Sequence, residues 1–295
     1  MNKSTVEAAP AKINLFLDIE SRRQDGYHNI ISIMQSVTFS DIVTIDTASV
    51  GGIRVECDNP SIPCGRENIA YRAAEVFLSM AGLSCGLEII IQKNIPSPAG
   101  LGGGSSDAAA VLRGLNKIFG RRFSYDALCR MGASIGADLP FCIRGGCARV
   151  RGIGEIVEPI APLPASHIVI ACSGEGVSTP AAYAALDLMY DNFGGRKSGT
   201  GHYVLEAANA AGNLGGISGV MYNIFEDLVL PKHSEAAEIK TILLDTGAVS
   251  AMMTGSGPAV YGVFAGEADA IRAAAALRQA GNDPFICTPA GAFNV

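Results

Sequence analysis

Pro96-Ser97-Pro98-Ala99-Gly100-Leu101-Gly102-Gly103-Gly104-Ser105-Ser106-Asp107 joins an apolar, strand-like run, Leu87 to Ile91, to an amphipathic helical pattern. Its four glycines lack the Cβ atoms that would hold a ligand away from backbone N–H groups. A helix opening directly behind them brings unpaired N–H groups and the positive end of its dipole to the same place. A strand–loop–helix junction of this kind is a phosphate cradle. The helix is read from Ala108, Val111, Leu112, Leu115, Ile118 and Phe119, which recur at helical spacing, with Ser105 or Ser106 as the expected cap. The run is not a Walker A loop, because no Gly-Lys-Ser/Thr follows the glycines. Nor is it the dinucleotide fingerprint, because Ser105 stands where the third glycine would fall.

The rest of the chain bounds what such a cradle serves. Its 295 residues suggest two domains, and 48% hydrophobic residues are enough for a full core. A net charge of −6 argues against an extended nucleic-acid surface. No run of 18 apolar residues suggests a membrane span, and Met1 to Pro10 lacks the apolar core of a secretory signal. The expectation is a cytoplasmic protein with neither membrane nor nucleic-acid partner. Eight scattered cysteines, without a Cys-x-x-Cys pair, read as small hydrophobes in a reducing compartment. Four dispersed histidines suggest no metal centre.

Ahead of the loop, Ala11 to Glu20 alternates as a strand, which puts Lys12 and Asn14 on one face. Asp25-Gly26 marks a turn, and Ile30–Val37 and Ile42–Ile45 read as two further strands. Asn68 and Ser124 are helix caps, and Gly136 to Pro140 breaks the second of those helices, leaving Asp138 near an exposed turn. Prolines 159, 162 and 164 suggest a domain change, dividing the chain into 1–160 and 161–295. Beyond it, His167–Cys172 is a buried strand. Asp191 to Gly219 is a glycine-rich, mobile-loop candidate with a short helix over Tyr203–Ala211. Ser234 caps a helix, Val249–Met253 and Val260–Phe264 flank a Gly255-Ser256-Gly257 turn, Glu267–Gln279 is a helix, and Phe285–Thr288 closes as a strand. Hairpin-like strand pairs in both halves favour α+β over a doubly wound sheet.

Three separated segments, Pro10-Ala11-Lys12-Ile13-Asn14, Pro96–Asp107 and Gly255-Ser256-Gly257, resemble the three motifs of the GHMP kinases, the superfamily of galactokinase, homoserine kinase and mevalonate kinase. Pro96 to Ser106 fits the central motif Pro-x-x-x-Gly-Leu-Gly/Ala-Gly-Gly-Ser-Ser throughout. Pro10 to Leu17, Arg23-Gln24-Asp25-Gly26-Tyr27-His28 and Gly136 to Phe141, followed by Arg144-Gly145-Gly146, are similar to one branch of that superfamily. Members of this branch phosphorylate the 2-hydroxyl of a diphosphocytidyl-linked methylerythritol in non-mevalonate isoprenoid synthesis. The resemblance implies a ribosomal-S5-like N-terminal domain, a ferredoxin-like C-terminal domain, and a site in the cleft between them. It also implies ATP as co-substrate with Mg2+, a small cytidyl acceptor, and a monomer or homodimer.

The resemblance assigns Asp138 as the carboxylate that takes the acceptor's proton and Lys12 as the cation that holds Asp138 ionised and steadies phosphoryl charge, which is what phosphoryl transfer asks of such groups. Pro96 through Ser106 would hold ATP, Ser105 and Ser106 with their hydroxyls. Gly255, Ser256 and Gly257 would line the site with Asn14. Tyr27 and His28 would contact the cytidine ring, with Tyr183 a second stacking aromatic in Ser178–Tyr183, beside Thr179. The competing expectations are a related kinase acting on homoserine or a mevalonate derivative, and a non-catalytic nucleotide binder. The retained Lys12 and Asp138 count against the latter.

Overall fold

A computed structural model describes residues 3–48, 51–174, 176–190, 193 and 200–294. Two sheets form its centre. The first is built on two long antiparallel strands, β1 (Ser4–Arg22) and β2 (His28–Ala48), joined by a turn in which Gly26 N donates to Arg23 O at 3.2 Å and Gly26 takes φ +87°. The two strands expected over Ile30–Val37 and Ile42–Ile45 are one: neither Thr38 nor Ser40 interrupts β2, because β1 pairs along its whole length. The register slips between Pro10 and Lys12 and again between Asn14 and Phe16. Irregularities of this kind bend a strand and re-aim its side chains, and these two bracket Lys12 and Asn14.

β3 (Ile53–Cys57) and β4 (Gly86–Gln92) extend the sheet beside the C-terminal half of β2, and β5 (Cys147–Gly152) and β6 (Ile156–Pro159) beside its N-terminal half. The helices α1 (Ile69–Ala81), α2 (Gly103–Ile118), α3 (Tyr125–Ala133) and α4 (Leu139–Arg144) cover one face. There Val43, Ile45, Ile89 and Ile91 meet Ala74, Phe77, Val111 and Leu115 in one apolar cluster.

The second sheet has the order β11 (Phe285–Cys287), β7 (His167–Cys172), β10 (Ala259–Phe264), β9 (Ser250–Met253), all antiparallel. Counted within this half the order is 4-1-3-2, with α8 (Ser234–Asp245) and α9 (Glu267–Gln279) as the connecting helices, which is the ferredoxin-like arrangement. Strand alternation divides its residues: Val169 and Ala171 face α8 and α9, whereas Ile168, Ile170, Met252 and Tyr261 face Ile13, Leu15, Ile31 and Ile33 of the first sheet. The layers therefore run helix, sheet, sheet, helix, an α+β fold. Two short pieces cross between the halves. β8 (Tyr222–Asn223) pairs in parallel with β1 at Phe16 and Leu17, and the C-terminal segment bridges back at Val37–Pro289 and Gly145–Ala292.

Some local expectations change. Neither Ser105 nor Ser106 caps α2; Gly102 occupies that position in the left-handed conformation, φ +71°, and the helix begins at Gly103, ahead of both serines. Ser234 is the first residue of α8 and makes no cap bond; His233 precedes it. α3 ends at Ala133, ahead of the expected break, and Pro140 sits in the first turn of a new helix, α4, where its missing N–H falls among the unpaired donors. Asn68 does cap α1, accepting from Ala70 N at 2.8 Å, and Ser124 caps α3. Of the Asp191–Gly219 segment, α6 (Gly201–Ala210) and a 3-10 turn (Leu214–Ile217) are ordered secondary structure; residues 191, 192 and 194–199 lie outside the described set. α5 (Thr179–Met189) and α7 (Glu226–Val229) complete the elements named here.

Candidate active site

The first intrahelical bond of α2 runs from Ser106 N to Gly102 O at 2.9 Å. The N–H groups of Gly103, Gly104 and Ser105 ahead of it have no partner within the helix, which is the anion-binding end expected of this junction. Gly100 is held where no side chain fits: its φ is +78°, and a Cβ would fall 2.2 Å from the Thr254 carbonyl oxygen. The glycine loop and the Thr254–Gly257 turn are thus in backbone contact across 154 residues of sequence, sealed by Thr254 Oγ1 donating to Gly100 O at 3.3 Å.

Asn14 ties the first motif to both. Its Oδ1 accepts from Lys12 Nζ at 2.7 Å and from Gly255 N at 2.9 Å, and its Nδ2 donates to Ser32 Oγ at 2.9 Å. Tyr261 from the second sheet donates its hydroxyl to Asn14 O at 2.7 Å, and burial pushes that phenol far above the ordinary tyrosine range. Asn223 braces the turn from behind, donating to Met253 O and Gly255 O at 2.8 and 2.9 Å. Lys12 is 4% exposed, with its stem under Gly102, where a Cβ would lie 2.9 Å from Lys12 Cγ.

A cavity of about 720 Å³ opens at this convergence. Lys12, Asn14, Gly100, Gly102, Ser105, Asp138, Gly255 and Ser256 line one part, and Tyr27, His28, Thr179 and Tyr183 another. Asp138 immediately precedes α4 and is half-buried. The Lys12 ammonium is turned to Asn14 and makes no ion pair with Asp138 within 4 Å. Thr179 and Ser256 share a hydrogen bond of 2.8 Å that joins α5 to the turn.

Other expected residues take supporting places. Ser106 Oγ donates to Pro10 O at 2.7 Å and is fully buried, so it holds α2 to β1 instead of facing the cavity. Ala99 and Leu101 are core residues between the sheets. Pro96, Ser97, Pro98, Gly103 and Gly104 do not line the cavity, and neither does Gly257, whose missing Cβ makes room for Met253 Sδ.

The aromatic end of the cavity gathers Tyr27, His28 and Tyr183. His28 and Tyr183 are stacked on each other, centroids 4.9 Å apart, so no base fits between them. Tyr27 is the exposed ring, at 60%. Sequence reasoning did not find Asp187, which contacts His28, or Arg22, both on the cavity wall. Asp187 stands four residues after Tyr183, the helical spacing that shares a face and the one available signal for it.

A buried charge cluster lies beneath the loop, also unread from the sequence. Lys93 Nζ bonds Asp41 and, at 2.8 Å, Asp107 in the first turns of α2. Asp41 Oδ1 also accepts from Asn94 N and Ile95 N, whereas Asp107 Oδ1 is buried without a partner. Burial, with the neighbouring Asp41 charge, pushes the Asp107 carboxyl up to about 7 against the opposing pull of Lys93.

Among the described residues no helix is long and apolar enough to cross a membrane, and no cluster of three His, Cys, Asp or Glu side chains could hold a metal. The model for the GHMP kinases N terminal domain matches residues 68–146, and that for the GHMP kinases C terminal domain residues 204–283. A 4-diphosphocytidyl-2-C-methyl-D-erythritol kinase of Caldicellulosiruptor saccharolyticus is 43% identical over 270 residues, 92% of this chain and 91% of the relative. The one of Geobacter metallireducens is 39% identical over 284 residues, 96% and 97% of the two chains. Among solved structures, a 4-(cytidine 5'-diphospho)-2C-methyl-D-erythritol kinase superposes with a TM-score of 0.79 at 33% identity, covering 97% of this chain and all of its own. The homoserine kinase of Cytophaga hutchinsonii shares the fold at 17% identity, with a TM-score of 0.73. With both domain models matched and such identity sustained from end to end, the chain belongs to the 4-diphosphocytidyl-2-C-methyl-D-erythritol kinase family of the GHMP kinases.

Proposed function

We propose that this protein transfers the γ-phosphate of ATP to the 2-hydroxyl of 4-diphosphocytidyl-2-C-methyl-D-erythritol, yielding the 2-phosphate and ADP. The observation that carries this reading is the single cavity shared by Lys12, Asp138, the helix-α2 cradle and the Tyr27–His28–Tyr183 group. The reading divides the chain at 1–160 and 161–295, with the site in the cleft between the two parts.

The phosphates of ATP lie along the N-terminus of α2, where unpaired N–H groups and the helix dipole favour anions. The acceptor hydroxyl hydrogen-bonds to Asp138, which takes its proton as the new oxygen–phosphorus bond forms and the bond to the bridging oxygen of ADP breaks. Lys12, already fixed by Asn14, presents its charge to the transferring group without reorganising. Mg2+ fits a site of this composition. It dehydrates reluctantly and is commonly carried by substrate phosphates with one or two protein oxygens, so no cage of carboxylates is needed. Ser105, on the cavity wall at the start of α2, is the residue that would hold it, and it would neutralise phosphate charge.

Incubation with ATP, Mg2+ and a panel of alcohols tests the reading. Phosphorylation of the diphosphocytidyl substrate is expected. Turnover of homoserine or mevalonate with none of the cytidyl substrate overturns it.

A further inference from the structure

One ring nitrogen of His28 is already committed before any ligand arrives. Nε2 lies 2.7 Å from Asp187 Oδ1, and the other carboxylate oxygen faces Arg22 Nε at 3.4 Å. Tyr183 stacks on the imidazole, and Phe193 meets it edge-on with centroids 5.6 Å apart. The His28 side chain is 6% exposed. Helix α5 supplies both the stacked ring and the carboxylate, one turn apart, so the imidazole is held in plane and in rotation.

From this we infer that Asp187 is a positioning residue that fixes His28 as the Nε2–H tautomer and so makes the site prefer an aminopyrimidine to an oxopyrimidine. A carboxylate oxygen accepts, so the proton of the 2.7 Å contact belongs to Nε2. In the neutral imidazole Nδ1 then carries a lone pair, because the tautomer is set by the bond the other nitrogen makes. The 4-amino group of cytosine donates to such a lone pair. The 4-oxo group of uracil meets it lone pair to lone pair. A ring stapled on two sides cannot turn to offer the other nitrogen. Selection of this kind works by repelling the wrong base as well as by binding the right one.

This inference rests on the proposed cytidyl substrate, and its test separates the two. Rates with the diphosphocytidyl acceptor and its diphosphouridyl analogue are compared for the parent, Asp187→Asn and Asp187→Ala. Long-range proton–nitrogen correlation spectra of His28 are recorded for each protein without substrate. The parent is expected to show the Nε2–H tautomer, and Asp187→Ala a mixture. The cytidyl-to-uridyl ratio of kcat/KM should fall in both variants, by about tenfold or more in Asp187→Ala, the size expected when a buried polar preference is lost. An Nδ1–H or doubly protonated His28 in the parent overturns the inference, as does an undiminished ratio in both variants. Absence of turnover with either pyrimidine by the parent fails the proposed function instead, and the tautomer spectrum then judges the inference alone.

Discussion

Nζ of Lys12 and Oδ1 of Asn14 are 2.7 Å apart, and the same amide oxygen receives Gly255 N and the Thr254 hydroxyl. One short side chain therefore aims the cation at the cavity and fixes the turn that walls it. Asn14→Ala should lower kcat by roughly 10²-fold, the order seen when one preorganised polar group is lost from an active site. It should also cost about 1–3 kcal/mol of stability, because Ser32 and Gly255 lose buried partners. Steady-state kinetics and urea unfolding check the two numbers, and Asn14→Asp, which keeps an acceptor toward Lys12, should lose less activity.

Asp138→Asn keeps the shape of the α4 N-terminus and removes the carboxylate proposed to accept the proton. Turnover should fall by roughly 10²–10⁴-fold, the range of general-base contributions. ATP affinity measured by calorimetry should stay near the parent's. Turnover close to the parent's would remove Asp138 from the chemistry.

Gly100→Ala places a methyl group 2.2 Å from the Thr254 carbonyl at a φ of +78°. Backbone must move, so the glycine loop separates from the Gly255 turn. A loss of about 1–3 kcal/mol is expected from the strained backbone alone, with turnover falling alongside it. Gly52, which has open space around it, is the control: Gly52→Ala should shift stability by less than about 0.5 kcal/mol.

Asp107 supplies a pH dependence. Its carboxyl is raised from 3.8 to about 7 by burial, so the folded protein holds this proton more tightly than the unfolded chain. The stabilising contribution is complete below the unfolded value and is lost as pH rises through the folded one. Lys93, raised above its ordinary range by the two carboxylates against the opposing effect of burial, stays charged across that window. Melting temperatures of the parent and Asp107→Asn should therefore diverge from pH 4 to 7 in the variant's favour and run parallel above pH 8. Parallel curves throughout would show that Asp107 does not titrate there.

Much of the fold was legible because local patterns agreed with tertiary need. Leu87–Ile91, the α2 periodicity, His167–Cys172 and Glu267–Gln279 all fall within or on the observed elements. The failures are places where neighbours overrule local chemistry. Serine caps helices in isolation, but Gly102 takes that position because Lys12 packs where a Cβ would be. Two apolar runs became one strand because β1 is long enough to pair with both.

The sequence by itself determined the glycine loop that opens α2, the resemblance of the three motifs and the placement of Lys12 beside Asn14, since glycine spacing and strand alternation act over a few residues. Tertiary structure alone decided what those residues touch. Asp187 reaches His28 across 159 positions and Lys93 reaches Asp41 across 52. The first depends on how α5 meets the start of β2 and the second on the antiparallel pairing of β2 with β4, and no local spacing encodes either. For the same reason Lys12 turned to Asn14 and not to Asp138. The carbonyl of its strand neighbour lies within reach of the ammonium, and the arrival of Gly255 from the second half of the chain holds that oxygen in place.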